Sequence, residues 1–168
     1  GSKTMEPYQN VGGAGFPYER ISSGIQQKGC VAPRTMTEVN GALIWIGSGD
    51  SERPAIYTTN GGKPEKLSPP SIDTFIYSGG IDNVRNAWAI SWSERGHTFI
   101  AFTIPKVGTI VYDAITGAWH RKESLDRFRQ PIPWRVTSLV DAYSVLLVAD
   151  VLSGNIGILS EDTFYEYD

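Results

Sequence analysis

The sequence predicts an all-β fold of β-propeller type, built from about three four-stranded antiparallel blades and reading as a fragment of a larger propeller. Three observations lead there. Short apolar runs begin near residues 42, 98 and 145, and runs that are apolar at every position suit strands buried on both faces. A mixed strand follows each, near 55, 109 and 155, and a more polar one near 64, 118 and 163. The units recur every 50 residues or so, roughly the period of a propeller blade. A β-sandwich would share the alternation but would not explain the repeated spacing.

Composition fits this reading. With 168 residues, 40% of them hydrophobic, the chain can bury a core. Its 18 Gly and 10 Pro favour frequent turns over long helices. No apolar run is long enough for a membrane-spanning helix. A net charge of −3 argues against specific nucleic-acid binding. The basic cluster Arg121, Lys122, Arg127, Arg129 and Arg135 is diluted by Glu123 and Asp126 and reads as a solvated face. The single Cys30 excludes an internal disulfide, which suits synthesis in a reducing cytoplasm.

Gly1-Ser2 reads as a cloning scar. Residues 3–32 hold Pro7, Pro17 and scattered glycines without a sustained period. They predict an irregular or incomplete blade segment, with a short strand near Gly24 to Gln27. The Gly12-Gly13-Ala14-Gly15 cluster lacks the preceding strand and the Gly-Lys-Ser/Thr exit of a phosphate-binding loop.

Residues 33–68 predict the first blade. A strand at 34–39 meets the hairpin dipeptide Asn40-Gly41, then come the apolar strand 42–46, a third at 54–58, and a polar fourth at 63–67. Residues 69–86 are the connection, with one helical turn over 71–76 capped by Ser71. Residues 87–125 are the second blade, with strands at 87–92, 97–104, 109–112 and 119–122. Residues 126–134 read as a linker, because Pro131 and Pro133 punctuate them. Residues 135–168 are the third blade, with strands at 135–140, 145–149, 155–159 and 163–167. The outer strands carry charges, at Lys63 to Lys66 and His120 to Lys122, which discourage edge pairing. Both termini read as cuts from a longer protein.

The chemistry expected from the side chains is sparse. His97 and His120 have no second ligand at metal spacing, no calcium-loop pattern occurs, and no nucleophile motif stands out. Neither catalysis nor a cofactor is expected. Asp50, Asp113 and Asp150 stand in turns, where a carboxylate accepts from backbone N–H groups. Asp113 with Gly117, and Asp150 with Gly154, are therefore structural turn residues. Trp45, Trp88 and Trp119 are expected to pack between blades. Trp92 and Trp134 are expected to be more open, and with Arg127 and Arg129 they are candidate partner contacts. A glycan-binding, sialidase-like or kelch-like propeller module is the alternative function class. Asp113 to Trp119 resembles the turn between the last two strands of a kelch blade, although Thr103-Ile104-Pro105-Lys106 stands where kelch has its double glycine.

A broader resemblance covers residues 28–168. It rests on KGCVAPRTMTEVNGALIWIG (28–47), PAIYTTNGGKPEKLSPPSID (54–73), GHTFIAFTIP (96–105), VYDAITGAWHRK (111–122), Trp134-Arg135 and VADVLSGNIGILSEDTFYEYD (148–168). Together these resemble the packaged-DNA stabilization proteins of short-tailed bacteriophages, also called tail accessory or nozzle hub proteins. The resemblance implies a non-enzymatic virion protein of the tail. It would join the portal side to the tail tip and help retain packaged DNA. Implied partners are a portal-side adaptor, the tail tip or needle, the tailspike, and other copies in a ring, with no membrane involved. Loops 48–53, 93–96, 106–108 and 126–133 would then meet tail partners.

Overall fold

A computed structural model describes residues 3–60 and 62–160. The chain forms two compact units that divide in sequence between Tyr77 and Ser78, within the expected connection.

The first unit opens with a hairpin where no regular element was expected. Strands β1 (Tyr8–Asn10) and β2 (Tyr18–Arg20) pair antiparallel, Tyr8 opposite Arg20. Every residue in them is exposed, so no apolar alternation marks them in the sequence. Instead of a strand near 24–27 there is a 3-10 turn over Ser22–Gly24 and a bridge between Met5 and Gln26.

The main sheet of this unit contains β3 (Gly29–Cys30), β4 (Thr37–Val39), β5 (Ala42–Ser48), β6 (Ala55–Asn60) and β7 (Lys63–Lys66). β3 and β4 lie along the same edge of β5, β4 against Leu43 and its neighbours, β3 against Gly47 and Ser48. Between them a 3-10 turn at Pro33–Thr35 breaks the ladder. The buried Thr35 side chain restores it: its hydroxyl donates to the Ala32 carbonyl at 2.7 Å and accepts from Ile46 N–H at 2.9 Å. The Ile46 donor at the break is thereby satisfied. β6 and β7 complete the meander, and β7 is mostly exposed.

Helix α1 (Pro70–Tyr77) follows. Its start is not capped by Ser71, as expected, because Ser71 lies inside the first turn. Pro70 takes the first helical position, where its missing N–H costs nothing, and the Pro69 carbonyl accepts from Ile72 and Asp73.

The second unit begins with a short helix, α2 (Ile81–Arg85), which the sequence did not suggest. A five-stranded sheet follows in the order β12-β11-β10-β9-β8, comprising β8 (Trp88–Glu94), β9 (His97–Ile104), β10 (Gly108–Asp113), β11 (Trp119–Leu125) and β12 (Pro131–Pro133). The expected linker 126–134 is thus a hairpin return, with Ser124 opposite Ile132. Proline is tolerated there because the strand lies at the edge. The last sheet pairs β13 (Val136–Ala142), β14 (Val145–Asp150) and β15 (Ile156–Leu159). The strand expected at Thr163 to Tyr167 lies outside the described residues.

One regularity runs through the three meanders. Each first-to-second-strand turn has two residues with positive φ: Asn40 (53°) and Gly41 (80°), Arg95 (49°) and Gly96 (82°), Tyr143 (56°) and Ser144 (61°). This is the backbone whose twist matches a tight hairpin.

The core of the second unit lies between its two sheets. Trp88, Trp92, Ala101, Val111, Trp134 and Val136 are buried together, with Phe99, Leu146 and Val148 packed against them. Trp88 Nε1 donates across to the Val136 carbonyl at 2.9 Å.

Candidate functional site

Among the described residues no group of three or more His, Cys, Asp or Glu side chains is placed to hold a metal ion. No helix among the described residues is long and apolar enough to cross a membrane. Three polar places among the described residues bear on function: a pair of turns built alike, a recess in the first unit, and a hairpin tip in the second.

The turns Asp113 to Ala118 and Asp150 to Asn155 are built alike. Asp113 Oδ1 accepts from Ile115 N–H at 2.9 Å and Oδ2 from the Thr116 hydroxyl at 2.6 Å. Asp150 Oδ1 accepts from Leu152 N–H at 2.8 Å and Oδ2 from the Ser153 hydroxyl at 2.6 Å. Gly117 and Gly154 N–H close the turns onto the Asp113 and Asp150 carbonyls, with φ of 73° and 70°. The Thr116 hydroxyl and the Ile115 N–H, with His97, hold the Asp113 carboxyl well below the usual carboxylate range. In the first unit the strand equivalent to β10, β6, ends on Asn60, which donates to Glu65 at 3.1 Å.

Each aspartate has a basic partner that sequence reading missed. His97 Nδ1 lies 2.7 Å from Asp113 Oδ2. Arg135 grips Asp150 through two nitrogens, Nε to Oδ1 at 3.0 Å and Nη2 to Oδ2. These partners lie 15 or 16 residues away, and only strand pairing brings them together. The Thr116 hydroxyl donates to the carboxylate and not to His97, so nothing here activates a nucleophile.

The tryptophans depart from expectation. Trp92 and Trp134, expected to be open, are 7% and 4% exposed. Their rings lie 5.7 Å apart, and the Lys122 ammonium sits 4.5 Å from Trp134 and 5.4 Å from Trp92. The reason is packing at a distance: Trp134 folds back at the end of β12, where its N–H bonds the Thr109 hydroxyl at 3.0 Å. Trp119, expected between blades, is half-buried and lies 4.7 Å from Tyr112, its neighbour in the same sheet. Trp45 is fully buried, stacks near Tyr57 at 6.0 Å and donates to the Gly29 carbonyl at 3.3 Å. Trp88 bridges the two sheets of the second unit.

The recess, about 420 Å³, is lined by Lys28, Glu52, Arg53, Tyr57, Lys66 and Asp73 among others. Its acids are already engaged. Lys28 pairs with Glu52, and Lys66 with Asp73. Tyr57 donates to Glu52 at 3.2 Å. Burial and the Glu52 charge push the Tyr57 phenol up to about 12. A carboxylate held by a lysine and a phenol that stays protonated make poor acid–base partners at neutral pH.

Arg127 and Arg129 stand exposed on the tip between β11 and β12, on either side of Phe128. No signal in composition distinguishes this tip from an ordinary polar loop.

A family model described as "Bacteriophage P22 Gp10, beta-propeller" matches residues 1–164. No curated protein matches the chain.

Proposed function

We propose that this chain, which belongs to the bacteriophage P22 Gp10 β-propeller family, joins the portal side of a phage tail to its distal tip and helps retain packaged DNA. The family match across residues 1–164 carries this reading, and it makes the chain a structural protein of a phage tail. The side-chain arrangement supports a role played by surfaces. The aspartates of the second and third sheets are tied into turns, and the acids of the recess are paired. The two sheets of the second unit are joined by buried aromatic rings, which suits a rigid, preformed contact surface.

On this reading Asp113, Gly117, Asp150 and Gly154 hold turn shape, and Trp45 and Trp119 pack the sheets that carry the contact loops. Arg127 and Arg129 contact a partner. Trp92 and Trp134 do not, because they are buried. The partners are other tail proteins, namely a portal-side adaptor, the tail tip or needle and the tailspike, together with further copies in a ring. No cofactor takes part, and DNA is retained by a sealed passage and not by sequence-specific binding.

The test is a phage in which this gene is silenced. Purified particles should carry the protein when the gene is intact, by antibody labelling, and should lose packaged DNA when it is not. Particles that never contain it, or that keep their DNA without it, would overturn the reading.

A further inference from the structure

The hairpin tip Asp126 to Gln130 is a clamped loop that displays one aromatic ring between two cations. Asp126 Oδ1 accepts from both Phe128 N–H and Gln130 N–H at 2.8 Å. The backbone closes the loop again, Asp126 N–H to Gln130 O at 3.0 Å and Arg129 N–H to Asp126 O at 2.9 Å. At its base, Leu125 faces Pro131 and Ser124 faces Ile132, and the buried Ser124 hydroxyl accepts from Arg135 N–H at 3.1 Å. The loop is therefore fixed before it meets anything.

What it presents is unusual for a solvated turn. Phe128 is 68% exposed, although its ring gains nothing from water. The Arg127 guanidinium lies 4.7 Å from that ring. Neither Arg127 nor Arg129 forms an ion pair with a described residue. Leu125, next to the tip, is also exposed. A lone exposed apolar side chain needs no explanation. Here it is combined with two unpaired guanidiniums on a preorganised loop, and aromatic residues and arginine are the types that dominate binding hot spots.

The geometry points to a docking knob: Phe128 inserts into an apolar pocket on another protein, and Arg127 and Arg129 pair with carboxylates on the pocket rim. The inference rests on the tail reading for the identity of that protein as a virion component. A protein is favoured over DNA by charge arithmetic. Two phosphate contacts give little affinity at physiological salt, and the chain as a whole carries −3. A second copy of this chain is disfavoured at the recess, where Lys28, Arg53 and Lys66 outnumber Glu52 and Asp73.

The experiment places a photo-crosslinking benzoylphenylalanine at position 128 of the full protein in phage-infected cells and identifies the crosslinked peptides by mass spectrometry. The expected result is one peptide of another virion protein, with Asp or Glu within a few residues of the crosslink. The pair R127E/R129E should lower its yield at least tenfold, with an unchanged thermal midpoint showing that the fold is intact. Crosslinks to DNA, crosslinks only to this same chain, or a yield indifferent to charge reversal would each overturn the knob. Immunoblots of purified particles, run in parallel, test the tail reading separately. Protein present in particles without the crosslink defeats the knob alone, and protein absent from particles defeats the tail reading.

Discussion

His97 Nδ1 stands 2.7 Å from Asp113 Oδ2, and Arg135 holds both carboxylate oxygens of Asp150, the aspartate of the turn built alike. Two turns of like sequence thus use one device. The aspartate accepts from its own turn and also from a base 15 or 16 residues earlier in the chain. Because the Asp113 carboxylate can only accept, His97 must carry its proton on Nδ1.

The first prediction concerns acid. Asp113 is held below the usual carboxylate range of about 3.9. A depressed folded-state value contributes stability that is fully present above the unfolded value and is lost as pH falls through it toward the folded one. Stability should therefore be flat near neutrality with respect to this group and should decline below about pH 4. Asp113→Asn should shrink that acid-side slope. Denaturant midpoints measured from pH 6 to pH 2 check this, and an unchanged slope in the variant would refute it.

The second prediction concerns the Arg135–Asp150 pair, whose side chains are only 16% and 8% exposed. Arg135→Met leaves a mostly buried carboxylate without its guanidinium and should cost about 3 kcal/mol. Arg135→Met combined with Asp150→Asn should recover part of that loss, since asparagine can still accept from Leu152 N–H. Urea unfolding of the single and double variants gives the comparison, and strictly additive losses would count against the coupling.

Much of the architecture was legible because it depends on local rules. The apolar runs at 42–46, 97–104 and 145–149 and the turns between them fall close to their predicted places, since alternation and tight-turn chemistry are written in neighbouring residues. What stayed hidden depends on distance or on the absence of an apolar pattern. The β1–β2 hairpin is exposed throughout and has no periodicity. β12 is masked by two prolines that an edge strand tolerates. Trp92 and Trp134 are buried because Trp134 returns beneath β10 and the last sheet closes over both. Likewise His97 and Arg135 find their aspartates only through sheet pairing, which no spacing rule conveys.

The third prediction uses the left-handed residues of the last hairpin turn. Tyr143 and Ser144 have φ of 56° and 61°, in a turn where the first sheet has Asn40-Gly41. Tyr143 is 94% exposed, so its ring contributes no packing. Tyr143→Asn with Ser144→Gly should stabilise the chain by about 1 kcal/mol, by relieving the steric cost of positive φ. Conversely, Gly117→Ala meets no atom within 4 Å and should cost only the backbone term, about 1 kcal/mol. Thermal midpoints that rise for the first and fall for the second are the expected pattern.

The fourth prediction separates two tryptophans that share one core. Trp88 Nε1 donates to the Val136 carbonyl at 2.9 Å, whereas buried Trp92 Nε1 has no hydrogen-bond partner among the described residues. Replacing an indole by a phenyl ring removes volume at both sites. At Trp88 it also strips a buried carbonyl of a donor, for a total cost of about 2–4 kcal/mol. At Trp92 it removes a donor that was paying desolvation without return, so Trp92→Phe should lose no more than about 1 kcal/mol. The contrast also bears on the docking knob. Trp92 packs on Trp134, which follows directly on β12, so a mild Trp92→Phe should leave the 126–130 tip in place and crosslinking from position 128 unaffected. Urea midpoints of the two variants decide the matter: equal losses would mean that packing alone sets the energetics of this core, and that the hydrogen bond across the sheets adds nothing.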